Sequence, residues 1–335
     1  MRKFDVAVVG CGNVSRMHFS AYAARPERIR LVAACDPYPE RVAQAQENYG
    51  VEQGFNALDE MIADASWDVA VVCTPTLVRE EAIGRLAAAG KHIFVEKPLA
   101  DTYAEARRVV EICDRAGVTL AVNQNFRYHY PFESARELIA AGRIGEVLSI
   151  THEDLLFRQD AGWRSTSERH ALSVMGVHWL DGFRWMLNDE PRAITCVTHS
   201  SSAIDAAGET DAAVQLVFAR GAVVSYTQSF SSLVKKTETI IIGQAGTLRL
   251  TYDDLTLFTH EDVTKPILHV ENPYRGANKP QATFTDLDLL LTAIEEGSQP
   301  PNSGRDNLKT VMLLDGAYRS AAEGQVVAFE TGVPA

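Results

Sequence analysis

The chain has 335 residues, 46% of them apolar and 23% charged, with a formal net charge of −12. At roughly 100–200 residues per domain, such a chain forms two globular domains with enough core to need neither disulfides nor metals. The acidity argues against a non-specific grip on nucleic acid or on an anionic membrane and is read as a solubility feature.

In chain order, short apolar runs first alternate with amphipathic ones. Strands are expected over 4–9, 29–35, 68–73, 92–96 and 119–122. Between them helices are expected over 13–24, 39–49, 56–63 with Asn56 as its cap, 76–89 closed by Gly90, and 102–116. The last opens on the capping box Thr102-x-x-Glu105 and closes at Gly117. Near-continuous apolar strands separated by helices imply a parallel sheet covered on both faces, a doubly wound α/β Rossmann domain over 1–122.

After about residue 123 the pattern changes. Helices are expected near 132–141 and 174–187, and closely spaced strands over 148–156, 194–199, 212–218, 222–230, 238–242, 247–251 and 255–259. This spacing predicts an α+β C-terminal domain over 123–335 with an open, mostly antiparallel sheet. A last helix at about 306–323 is expected to pack back towards the N-terminal domain, and 157–169 and 272–281 read as irregular loops.

The five cysteines (Cys11, Cys35, Cys73, Cys113 and Cys196) are scattered, odd in number and form no C-x-x-C pair. No disulfide framework or zinc site is expected, and Cys11, Cys35 and Cys73, in or just after apolar strand-like runs, are expected to be small buried hydrophobes in a reducing compartment. The apolar run behind Met1-Arg2-Lys3 stops at Gly10, too short for a signal peptide, and no run approaches a membrane span. A cytoplasmic protein is expected.

The first strand leads into Gly10-Cys11-Gly12-Asn13-Val14-Ser15, a G-x-G-x-x-S turn between strand and helix. Gly10 permits the turn, Gly12 lets a pyrophosphate approach the backbone, and the helix N-terminus at Asn13 and Val14 faces it with free N–H groups. Ser15 replaces a third glycine, so looser helix–strand packing is expected there. Asp36 ends the second strand, where its carboxylate accepts from ribose hydroxyls and repels a 2′-phosphate. NAD is therefore expected, with NADP less favoured; Arg41 is the nearest cation that would rescue NADP.

More specific stretches follow: Val72-Cys73-Thr74-Pro75, then Gly90-Lys91-His92-Ile93-Phe94-Val95-Glu96-Lys97-Pro98. Further landmarks are Gly142-Arg143-Ile144-Gly145-Glu146, Gly176-Val177-His178-Trp179-Leu180-Asp181 and Tyr318-Arg319-Ser320-Ala321-Ala322-Glu323-Gly324. Together, and in this order, they resemble the Gfo/Idh/MocA family of sugar and polyol oxidoreductases. The resemblance implies an active site in the cleft between the domains and subunit pairing through the open sheet, as a homodimer or homotetramer. It also implies that Lys97 is catalytic with a cis Lys97–Pro98 bond, and that Thr74 and Pro75 flank the nicotinamide ribose. Glu96 would support the cofactor, and Asn125 would lie on the nicotinamide side.

Oxidising a secondary alcohol needs a hydride acceptor, which NAD supplies, and a base, for which His178 is suited by its ordinary pKa near neutrality. Lys97 would stabilise alkoxide character. Trp163 offers a flat apolar face to a sugar ring, and Arg164 a fork for an anionic group. Three departures from the family pattern stand out. Many members carry an aspartate four residues before the histidine, where this chain has Val174. The glycines that open that segment are replaced by Glu168-Arg169-His170. Arg79 stands where a histidine is frequent, and is expected to be solvated. Asp181 is expected to pair with Arg184 or Arg192. The expected activity is hydride transfer between NAD(H) and a sugar, polyol or sugar derivative. That enzyme would work with Lys97 and His178 alone, with His170 or another group filling in for the aspartate; the alternatives are an enzyme that recycles a tightly held NAD for elimination or hydrolysis, and a non-catalytic NAD or sugar sensor.

Overall fold

The computed structural model describes residues 2–274 and 278–329, Asn278 by its backbone alone. The chain divides into two compact units. One comprises the residues up to Asn125 together with Lys279–Val311; the other comprises Phe126–Asn278 and the chain from Met312 onward. Residues 279–311 thus group with the first unit, whereas the sequence reading placed everything after 122 in the second.

The first unit contains β1 (Phe4–Val9), α1 (Ser15–Ala23), β2 (Ile29–Cys35), α2 (Pro39–Tyr49), β3 (Gln53–Phe55) and α3 (Leu58–Asp64). It continues through β4 (Val69–Val72), α4 (Arg79–Ala88), β5 (His92–Glu96), α5 (Tyr103–Ala116) and β6 (Leu120–Asn123). The six strands form one parallel sheet in the order β3-β2-β1-β4-β5-β6. The order reverses between β1 and β4, the switch point outside which such sheets bind ligands.

Successive strand residues point to opposite faces, and each face has its own core. Val6, Val8, Val69, Val71 and Phe94 pack with Phe19 and Tyr22 of α1. Ala7, Val9, Ala70, Val72 and Val95 pack with Met61, Ile83, Leu86 and Val110 of α3, α4 and α5.

The second unit contains α6 (Tyr130–Ala140), β7 (Val147–Phe157), α7 (Val177–Leu187), β8 (Pro191–His199), β9 (Asp211–Phe218) and β10 (Val223–Ser229). It continues with β11 (Ser231–Gly243), β12 (Gly246–Leu250), β13 (Asp254–Thr259) and β14 (Leu268–Glu271). The chain then forms α8 (Asn278–Glu296), α9 (Gly304–Glu323) and β15 (Val327–Ala328). Nine strands order as β14-β13-β12-β11-β7-β10-β9-β8-β15, and only the β10–β7 pairing is parallel. One face buries Ile150, Val214, Leu216, Val224 and Tyr226 against Trp179, Leu180 and Phe183 of α7. The other carries exposed Val197, Val223 and Ile242 beside Thr151, Gln215 and Ser225.

Several sequence expectations need correction. The segment 272–281 is not all irregular: α8 begins at Asn278, and residues 275–277 lie outside the described residues. Leu287, Leu290 and Leu291 of α8 join the core that holds Val69, Val71, Phe94 and Ala121. Arg28, buried at the start of β2, ties α8 down through Asp288 (2.6 Å) and Glu295 (2.9 Å). Asn302 holds β6: its side-chain amide Nδ2 donates to Val122 O at 3.2 Å, while its backbone carbonyl accepts from Val122 N–H at 2.9 Å. The last helix begins at Gly304, and its Val311 sits in the first unit's core. Asn56 caps nothing; its amide donates to Asp36 O instead, and α3 starts after Ala57. The helix expected over 76–89 opens as a 3₁₀ turn, Thr76–Val78, so that Arg79 begins α4. Cys11, Cys35 and Cys73 are buried as expected, and so are Cys113 and Cys196. Among the described residues no helix is long and apolar enough to cross a membrane.

Candidate functional site

The glycine turn closes β1. Gly10 has φ +91°, and a Cβ there would stand 3.0 Å from Cys73 C and Thr74 N, so only glycine fits. A Cβ on Gly12 would meet nothing within 4 Å, leaving room for a ligand to approach its backbone. Ser15 does not loosen the packing as expected. It is fully buried, and its hydroxyl donates to Gly12 O at 2.6 Å, closing the turn at the point where α1 starts. Asn13 is exposed in this turn, and Val14 forms the N-cap of α1.

Asp36, buried at the end of β2, accepts from Cys11 N–H (2.8 Å) and Tyr38 N–H (3.0 Å), one on each carboxylate oxygen. Each oxygen keeps a further lone pair. Arg41 stacks on Tyr38 and stands 3.6 Å from Asp36. An open pocket of about 210 Å³ adjoins the turn between α1 and α2, lined by Cys11, Arg16, Arg41, Gln44 and Asn48 among others.

On the other side of the switch point lie the ends of β4, β5 and β6. Thr74 and Pro75 follow β4, and the Thr74 hydroxyl is buried with no hydrogen-bond partner. Lys97 follows β5, half-buried, with a cis Lys97–Pro98 bond as the resemblance implied. Asn125 follows β6; its amide donates to Thr283 Oγ1 (3.1 Å) of α8, and its Oδ1 is buried without a partner. Neighbouring Gln124, which the sequence reading passed over, has both amide atoms buried and unpartnered.

Glu96 points into the sheet edge. Its Oε1 accepts from His18 Nε2 (2.7 Å) and Asn123 Nδ2 (2.7 Å), and His18 Nδ1 lies 2.7 Å from the Tyr22 hydroxyl. Burial pushes the Glu96 carboxyl up, but His18, Lys97 and Asn123 outweigh it and hold the group down at about 2. His18 escaped the sequence reading, though its four-residue spacing to Tyr22 was a usable sign of a shared helix face. Arg79 is not solvated as expected: it is buried, and its guanidinium donates to Glu96 O (2.8 Å), Pro98 O and Thr74 O.

In the second unit His178 lies in the first turn of α7, buried, its ring stacked on Phe126 at 3.9 Å and 7°. A π-helical turn, Leu172–Gly176, precedes it. Val174 packs with Ala171 and Phe230 in a small apolar cluster, which accommodates a valine and would strand a carboxylate. Glu209 caps this segment, accepting from His170 N–H (3.0 Å), Leu172 N–H (2.9 Å) and the Tyr318 hydroxyl (2.7 Å).

His170, fully buried, sets Nε2 3.1 Å from Asp160, which Arg158 also grips. Burial acts against the charge on Asp160, but His170 and Arg158 hold its carboxyl well below the usual carboxylate range. Trp163 and Arg164 form a separate short 3₁₀ turn, where Trp163 is exposed and Arg164 stacks over it at 5.3 Å. Asp181 pairs chiefly with Arg127, two contacts of 2.6 Å, with Arg184 at 3.7 Å and not Arg192. That partner, 54 positions earlier, has no local sequence signal.

The first unit can hold a dinucleotide. It has a glycine turn open for close approach, a carboxylate with spare lone pairs at the end of β2, and unsatisfied buried polar atoms at Thr74, Gln124 and Asn125. Buried polar atoms are ordinarily paired, so such a cluster marks where a polar ligand belongs. Among the described residues no group of three or more His, Cys, Asp or Glu side chains is placed to hold a metal ion.

Comparison with known proteins points the same way. A family profile described as an oxidoreductase family with an NAD-binding Rossmann fold matches residues 4–124, and the GFO/IDH/MocA C-terminal domain matches 132–249. The chain is 30% identical to a D-apiose dehydrogenase of Paraburkholderia graminis, over 98% of this chain and 90% of that protein. It is 28% identical to an inositol 2-dehydrogenase of Rhizobium meliloti, over 94% and 96%. The WlbA dehydrogenase of Bordetella pertussis, solved with NADH and UDP-GlcNAcA, superposes with a TM-score of 0.83 at 25% identity, covering 99% of this chain and 100% of that one. The matched residues span both units, and the chain belongs to the Gfo/Idh/MocA family of oxidoreductases with an NAD-binding Rossmann fold.

Proposed function

We propose that the protein is an NAD-dependent dehydrogenase or reductase of a sugar, polyol or sugar derivative, with Lys97 and His178 acting at the reacting oxygen. The observation that carries this is the edge of the parallel sheet, where the Gly10 turn, Asp36, Thr74 and Lys97 follow the ends of adjacent strands. The names of the D-apiose and inositol dehydrogenases support the substrate class.

When bound, NAD supplies the hydride acceptor. The backbone at Gly12, Asn13 and Val14 and the start of α1 hold its pyrophosphate, and Asp36 accepts from its ribose hydroxyls. Arg41 is engaged with Asp36 and Tyr38, and the carboxylate disfavours a 2′-phosphate, which favours NAD over NADP. Thr74, Pro75 and Asn125 bound the nicotinamide end, and Glu96 supports it through His18 and Asn123. Lys97 donates a hydrogen bond to the substrate oxygen and stabilises alkoxide character, while the His178 imidazole takes the hydroxyl proton. Trp163 and Arg164 offer an apolar face and a cation to the substrate. The buried thiols fit a reducing cytoplasm, and the exposed sheet face with Val197, Val223 and Ile242 suits homodimer or homotetramer pairing.

The test is a screen of D-apiose, myo-inositol, 1,5-anhydro-D-fructose and simple glycosides, following NADH absorbance for the parent and for Lys97→Ala and His178→Ala. Turnover abolished by Lys97→Ala is expected; no turnover with any of them would overturn the reading. A second reading is favoured by Val174 in its apolar cluster: an enzyme that keeps a recycled NAD. Product formation without net NADH, from protein that retains NAD through dialysis, would establish it.

A further inference from the structure

We propose that Arg79 is a positioning residue that sets Lys97 against the Thr74–Pro75 turn. The inference rests on the reading above that Lys97 and Thr74 meet the nicotinamide end of NAD.

Two loops are involved, one after β4 carrying Thr74 and Pro75, the other after β5 carrying Lys97 and Pro98. The Arg79 guanidinium joins them. Nη1 donates to Glu96 O and to Pro98 O, the carbonyls on either side of Lys97, and Nη2 donates to Thr74 O, immediately before Pro75. One planar, rigid group thus holds the backbone of Lys97 from both sides and sets its spacing to the neighbouring strand's turn. A second tie joins the same loops: Thr76 Oγ1 donates to Asp101 Oδ2 at 2.8 Å.

Stability alone is a poor reason for this arrangement. The guanidinium is buried against neutral carbonyls, its Nε–H is buried without a partner, and burial pushes the group down to about 10. It remains charged at neutral pH. Burying a guanidinium with no carboxylate in contact carries a desolvation cost that its hydrogen bonds must offset. The guanidinium fork supplies what an apolar side chain cannot, a directed grip on three carbonyls at once. Arginine is also not interchangeable with lysine here, because an ammonium is a point charge without the planar fork.

The test needs no knowledge of the substrate. The intact protein is briefly acetylated with acetic anhydride, with and without saturating NADH, and the Lys97 rate is read by peptide mass spectrometry against Lys3, Lys91 and Lys235 as internal references. In the parent, NADH is expected to slow Lys97 acetylation about tenfold or more, as removal of an amine from solvent and reagent would. In Arg79→Ala that protection should fall below about threefold, and the NADH dissociation constant should rise about tenfold, the effect of losing one or two charge-assisted hydrogen bonds. Millimolar guanidinium should restore both, and Arg79→Lys should restore neither. A role in stability alone would change the melting temperature and leave the Lys97 protection ratio untouched, which would overturn the proposal. Should Arg79→Ala not fold, Arg79→Lys carries the same comparison, and parent-like protection in it would likewise overturn the proposal. Absence of NADH protection in the parent would instead overturn the placement of Lys97 at the cofactor, and this inference with it.

Discussion

The two units treat their buried polar groups differently. At the strand ends of the first, two of the charges are spent on backbone: Arg79 holds three carbonyls, and Asp36 holds the N–H groups of Cys11 in the glycine turn and of Tyr38, while Glu96 holds the side chains of His18 and Asn123. Around this braced backbone Thr74, Gln124 and Asn125 keep hydrogen-bonding capacity in reserve. In the second unit, side chains pair with side chains, as in Arg127–Asp181 and Arg158–Asp160–His170, while His178 stacks on Phe126 and Val174 sits among apolar neighbours. The first arrangement fixes the course of the backbone at the strand ends. The second, resting more on side-chain pairs, can be altered one residue at a time.

The sharpest way to break this contrast is to remove one chemical group from each unit. Lys97→Ala is expected to lower turnover by about 10²–10⁴-fold, the usual range for a positioned proton-transfer or oxyanion group. His178→Ala should fall in the same range. Steady-state kinetics on the substrate found by the screen checks both, and a loss under tenfold for His178 alone would confine the chemistry to the first unit.

Acid should separate the units next. His152, buried in the second, has its pKa pushed down by desolvation from 6.5 to about 3. Between those values the unfolded chain binds the proton and the folded one does not, so stability is lost as pH falls below 6.5, by roughly 1.4 kcal/mol per pH unit. Glu96, in the first unit, is depressed from 4.5 to about 2, so its contribution is complete above 4.5 and is lost only as pH falls from there towards 2. Urea unfolding at pH 7, 5 and 4 is expected to show the second unit weakening first, with His152→Gln flattening the early slope.

Restoring the family's aspartate is a smaller perturbation. Val174→Asp places a carboxylate among Ala171 and Phe230 and should cost about 2–3 kcal/mol, several degrees of melting temperature, with no gain in turnover. Calorimetry checks the first part, and a stable, faster variant would show that the valine is not dictated by its surroundings. The mildest change is Asp36→Ala, expected to weaken NAD binding about tenfold by removing a charged acceptor while affecting NADP less. Titration with both cofactors measures the ratio.

The strands of the first unit and its glycine turn were legible because their residues answer to simple constraints: continuous apolar runs buried on both faces, a positive φ at Gly10, a cap at Thr102. The fold of the second sheet was legible from strand spacing, though the β10–β7 parallel pair was not. Helix α8 was missed: 272–281 reads as an irregular loop, and no element is assigned between it and the last helix. Yet the sheet itself called for it: Val71, Phe94 and Ala121 face a side that α3, α4 and α5 do not cover. The π turn before His178 has no sequence period of its own, so it was not legible. Arg79 looked solvated because its acceptors are carbonyls, which leave no residue-type signature, and they lie 5 to 19 positions away.

The leucines of α8 have a consequence for the order of events in synthesis. The core that holds β1, β4, β5 and β6 on one face is closed by Leu287, Leu290 and Leu291, and β6 is secured by Asn302. A nascent chain that has emerged only as far as β6 therefore presents that face of the sheet to water, and must keep it from other chains while some 160 further residues are translated. The first third of the chain to appear is thus among the last parts to reach its final stability.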